Sequence, residues 1–191
     1  MDRIKTNLPI SSNSLSEIRD YWVNLRQNRL MPNKKDFSPA AIVRHLPNIA
    51  LVDVFQNPLR FQYRLLGTRI TELAGRNATG KWLNEELYGD RTNDILWMYK
   101  KCASTRQPVA VREQIQFADK SWLNVDVAAF PMSDTDNEIS TILGAVDLTK
   151  TDAKLPSPGS TFILNWQAVK ETVMSSSLRD QHSKKAECGE N

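Results

Sequence analysis

Residues 46–80 read LPNIALVDVFQNPLRFQYRLLGTRITELAGRNATG, and the apolar period changes from that of strands to that of a helix within them. IALVDVF (49–55) and FQYRLL (61–66) are β-branched and aromatic runs, and NPLR between them is a turn signal, so the pair predicts a hairpin. If the odd-numbered residues of the second strand face a core, Tyr63 and Leu65 point inward. Gly67 closes the hairpin, and Ile70, Leu73 and Ala74 then follow helical spacing as far as Gly75, a natural C-terminal stop. Both glycines stand at junctions suited to φ > 0 or to close backbone approach.

Downstream, residues 90–106 place Ile95, Met98, Tyr99 and Cys102 at i, i+3, i+4 and i+7, a helix ended before Pro108. Three strand patterns follow. Val109, Val111, Glu113, Ile115 and Phe117 share one parity in the first; Leu123, Val125, Val127 and Ala129 in the second; Ile142, Gly144, Val146 and Leu148 in the third. Asp119 and Lys120 give a tight connection and the acidic stretch 132–138 a long loop, so the three are expected to form an antiparallel meander. Two strands, helices and three strands make an α+β fold: a five-stranded antiparallel sheet with helices on one face.

Upstream, Ser14 and Glu17 have the spacing of a capping box at the start of a helix whose apolar residues Leu15, Ile18, Trp22 and Leu25 form one seam. Either the chain's own sheet or a second copy can cover that seam. The outer sheet face, with Trp122, Asn124, Asp126 and Phe130, is a natural partner for it in both cases. Leu15, Ile18, Trp22, Leu25 and Trp122 are thus the candidate dimer or partner interface, and a charged residue at position 22 is expected to weaken self-association without unfolding residues 48–148. Ser38 and Pro39 open a short second helix that Pro47 ends. Beyond residue 150 the composition becomes linker-like, Phe162, Trp166, Val169 and Val173 allow a last amphipathic helix, and a polar tail expected to be disordered follows. The expected division is a helical extension at 1–45, a domain at 46–149 and a linker, helix and tail at 150–191.

With 191 residues, 40% hydrophobic and 25% charged, the composition is that of a folded globular protein. No apolar run approaches the ~20 residues that span a bilayer, and the N-terminus lacks the apolar stretch of a signal peptide, so no membrane association and a cytoplasmic location are expected. Cys102 and Cys188 suggest neither a disulfide framework nor a metal site. The net charge is +3, with eight basic against four acidic residues in 1–47. That is weaker than the basic stripe of a nucleic-acid binder, so nucleic acid is disfavoured; Arg19, Arg26, Arg29, Lys34, Lys35 and Arg44 are the residues such a reading would use. The acidic residues Asp134, Asp136 and Glu138 lack the glycine and distal glutamate of a calcium loop and read as a solvated turn.

The order of elements resembles a PAS domain from about Leu46 to Leu148. Leu46, Pro47, Ile49, Leu51, Asp53 and Val54 match an LPxIxLxDV strand, and Arg60, Phe61, Tyr63, Arg64, Leu65, Gly67 and Thr68 an RFxYRLxGT strand, of bacterial single-PAS-domain proteins. Glu72, Leu73 and Gly75 match the ELxG helix, and Gly80 and Lys81 the glycine-basic pair after it. The resemblance implies a sensory fold with a pocket between sheet and helices, signalling through dimer contacts to another protein. Tyr63, Leu65, Ile70, Leu73, Trp97, Met98, Val125 and Val127 would line that pocket. The family's cofactors match poorly. A flavin–cysteine adduct needs a thiol after Gly75, Arg76 and Asn77, where this chain has Ala78, and haem needs a histidine in the helix at 91–106, which has none. His45 reads as a capping or surface residue.

No Gly-x-Ser-x-Gly, phosphate-binding loop or His-Glu-x-x-His occurs, so no catalytic residues are assigned and the chain reads as a non-enzyme. The expected function is a bacterial sensory or regulatory module, a homodimer that takes a small molecule or acts on an unknown signalling protein. The alternative is a constitutive interaction adaptor with a filled core.

Overall fold

A computed structural model describes residues 4–10, 12–116, 122–135, 138–147 and 161–165. Its elements run β1 (Ile4–Pro9), α1 (Asn13–Arg26), 3-10 turns at Lys34–Asp36 and Pro39–Asn48, β2 (Ile49–Phe55), β3 (Arg60–Leu66), α2 (Thr68–Ala74), α3 (Glu85–Tyr88) and α4 (Thr92–Thr105). Then come β4 (Val109–Gln116), β5 (Trp122–Thr135), β6 (Glu138–Asp147) and β7 (Thr161–Asn165). The hairpin, the helix ending at Gly75 and the long helix thus stand where the periodicity puts them. Gly75 takes the left-handed conformation, φ 64°, and its N–H closes the helix on the Glu72 carbonyl.

The strands form one sheet in the order β1-β7-β4-β5-β6-β2-β3. Its β4-β5-β6-β2-β3 part is the expected five-stranded antiparallel sheet. Two elements differ from expectation. Residues 132–135 continue β5 and pair with β6 as far as Thr135 opposite Glu138, where a long acidic loop was expected. Two polar groups there find partners in the segment before β2: Pro32 accepts from the Ser133 N–H, and Lys34 pairs with Asp134 at 2.6 Å. Met132 and Ile139 meanwhile stay buried. The second difference is at Thr161–Asn165, a strand between β1 and β4 rather than the start of a helix. Phe162 and Ile163 are strand formers, and the position covers the backbone edge that β4 would otherwise present to solvent. The remainder of the expected last helix, and Trp166, Val169 and Val173 with it, lies outside the described residues.

Helix α1 begins at a different cap from the expected Ser14–Glu17 box. Ser12 has extended backbone angles and its Oγ accepts from the Leu15 N–H at 3.0 Å. Glu17 reaches away to Arg44 at 2.6 Å and His45 Nε2 at 2.8 Å, so His45 is a buried, paired residue rather than a capping or surface one. Leu15, Ile18 and Trp22 are at most 2% exposed, and Leu25 is half-buried. Trp22 lies 6.3 Å from the Phe130 ring and donates its indole N–H to the Pro131 carbonyl at 2.7 Å. Of the two covers open to the seam, the chain's own outer sheet face is the one seen. The side chain of Trp122 lies outside the described residues.

Gly67 has an ordinary φ of −65°, so close approach is what it serves. A Cβ there would stand 2.4 Å from the carbonyl oxygens of both Leu46 and Pro47. Gly67→Ala is therefore expected to cost about 1–3 kcal/mol, read as a lower urea midpoint. A midpoint equal to the parent's would show that the 46–48 backbone yields without cost.

Candidate functional site

A cavity of about 410 Å³ lies between the inner sheet face and helices α2–α4. Six of the eight residues expected to line it do so: Tyr63, Ile70, Leu73, Met98, Val125 and Val127. Leu65 and Trp97 do not border it. A register shift in the β2–β3 pair sets Leu51 opposite Leu65 but Val52 opposite Tyr63, so strand parity is reset between these residues. Leu65 is consequently 44% exposed, and Leu66 takes the inward place. Trp97 is half-buried beside a helix face whose fully buried members are Met98, Tyr99 and Cys102.

Apart from Tyr63, periodicity missed the polar groups of the cavity. Tyr88, at the end of the one-turn helix α3, places its hydroxyl 2.5 Å from that of Tyr63, and Tyr99 lies on the same wall. Desolvation is the main cause that pushes all three phenols above their ordinary range, and neighbouring phenols add to it. They therefore stay protonated hydrogen-bond donors at physiological pH. Glu113 shares the inner parity of β4 with Val111 and is 7% exposed. The Arg91 guanidinium stands 3.7 Å from it at the mouth. Arg76, also at the mouth, donates to the Leu87 carbonyl at 2.6 Å. Beside Tyr63, a glutamate alternating with valines on an apolar parity was the legible sign of this polar wall.

Burial raises the Glu113 carboxyl above its ordinary value; the Arg91 charge opposes this and that of Asp94 adds to it. A carboxyl raised in the folded chain contributes stability that is complete below the unfolded value and is lost as pH climbs through the folded one. Glu113→Gln should therefore melt above the parent at pH 8, with the difference gone at pH 4. A difference that was the same at both pH values would contradict the assignment.

Cys102 is fully buried, and its Sγ faces the Ala129 carbonyl at 3.7 Å rather than the cavity. Position 78 is a buried alanine. Among the described residues, no group of three or more His, Cys, Asp or Glu side chains could hold a metal ion, and no helix is long and apolar enough to cross a membrane. Of the basic residues in the N-terminal quarter, Arg19, Arg29, Lys34 and Arg44 each sit within 2.6 Å of a carboxylate.

An antiparallel five-stranded sheet with helices enclosing a cavity against one face defines a PAS-type sensory fold. The PAS domain family model matches residues 10–147, and the chain belongs to that family. The match begins before α1. Among solved structures, a Rhodobacter sphaeroides LOV protein aligns at 13% identity and a TM-score of 0.44, over 58% of this chain and 63% of that one. VqmA of Vibrio cholera, solved as a ligand–DNA complex, aligns at 13% identity and 0.44, over 57% of this chain and 49% of its own. A light-oxygen-voltage domain solved with a flavin analogue gives 13% and 0.43, over 59% and 84%. This chain thus spans less than two thirds of the length of the first two. No curated protein sequence matches the chain.

Proposed function

We propose that the protein is a non-catalytic sensory module that takes a small molecule into the cavity between the sheet and α2–α4 and signals through another protein. The observation that carries this reading is the cavity itself: about 410 Å³, mainly apolar, with three protonated phenols and one carboxylate on its walls. A core serving only to fold the domain has no use for four polar side chains around an empty space. That supports a sensor over an adaptor with a filled core. The pairing of four N-terminal basic residues with carboxylates supports a protein rather than a nucleic acid as the next component.

The test is Val127→Phe, which puts a ring into the space. Filling a real cavity should raise stability by about 0.5–2 kcal/mol. It should also abolish the melting shift that a small-molecule cell extract gives the parent protein. If the variant instead lost about 1–3 kcal/mol, as in an already filled core, and the parent showed no shift, the reading would be overturned.

A further inference from the structure

Charge is unevenly solvated around the cavity. Its two arginines, Arg76 and Arg91, are exposed at the mouth, where water already compensates them and ion pairing is worth little. Glu113 is buried on the wall. At 3.7 Å its contact with Arg91 is too long for a hydrogen bond, so the carboxylate is only partly compensated by protein. The Asp94 charge also acts at Glu113, against the larger effect of Arg91. A charge removed from water and incompletely paired is the strongest electrostatic demand a binding site can make, and a cation meets it.

Resting on the sensory reading above, we propose that the cavity selects small amines: an apolar body lies among Ile70, Met98, Val125 and Val127, and an ammonium group donates to the Glu113 carboxylate. The phenols of Tyr63 and Tyr88 stand on the same lining and orient the head group through their free lone pairs. A carboxylate-bearing ligand of equal size is rejected, because its charge would meet Glu113 while the arginines that could hold it stay in water.

Phenethylamine, phenylacetate, 2-phenylethanol and toluene share one ring and differ in the head group, and calorimetric titration of the full chain with each tests the proposal. Phenethylamine is expected to bind about tenfold or more tighter than phenylacetate, a gap of roughly 1.4 kcal/mol. Glu113→Gln should remove that preference while leaving 2-phenylethanol within about twofold of its affinity for the parent. Phenylacetate binding as tightly as the amine, or a preference for the amine that survives Glu113→Gln, overturns the inference and leaves the sensory cavity standing. If none of the four probes binds, toluene included, the cavity reading falls and the inference with it.

Discussion

Trp22→Ala is expected to lower the unfolding free energy by about 3–5 kcal/mol, a large share of what a domain of this size possesses. Three contributions add. The indole is almost wholly buried, its ring packs on Phe130, and its N–H satisfies the Pro131 carbonyl. Truncation leaves a cavity between α1 and the outer sheet face and strips a buried carbonyl of its donor. A charged residue at 22 should cost more, since the position is almost wholly buried and would strip the charge of its hydration. Urea unfolding followed by fluorescence reads the loss. A variant that unfolded at the parental midpoint but dissociated would instead place Trp22 between two copies.

Asp126→Ala is the second large effect, about 3–5 kcal/mol, because it strips Arg112 of its bidentate carboxylate. The pair lies across β4 and β5, with Nε–Oδ1 at 2.6 Å and Nη2–Oδ2 at 2.7 Å, and both residues are buried. The carboxylate's hydrogen bonds are the main cause that raises the Arg112 guanidinium above its ordinary value. Removing both charges together, as Arg112→Met with Asp126→Leu, should restore most of the loss, since a buried pair is little better than an apolar one of like volume. A double variant as unstable as Asp126→Ala alone would mean that the pair contributes through its neighbours. One neighbour is Asp147, which stands opposite Asp126 and accepts from the Ser12 hydroxyl at the start of α1.

What could be read from sequence follows the range of the interactions. Hairpin, helices and meander rest on local period and on glycine at 75, and these were legible. The apolar lining was legible to the same degree, as Met98, Val125 and Val127 follow from helix and strand parity. Leu65 was misplaced because one register irregularity reverses every later side chain, and no residue in RFQYRLL announces it. Tyr88 sits in a single helical turn with no period to read, and only the fold brings it to Tyr63 across 25 positions. Thr161–Asn165 became a strand because an open edge at β4 was waiting for one, a tertiary demand that overrides the helical spacing of Phe162.

Native mass spectrometry of the full chain, incubated with a small-molecule cell extract and compared with the denatured protein and with Val127→Phe, shows whether the cavity holds a ligand. A bound mass is expected on the native parent, lost on denaturation and missing from the cavity-filled variant. A parent that stayed bare, or a mass that Val127→Phe retained in full, would contradict a ligand in the cavity.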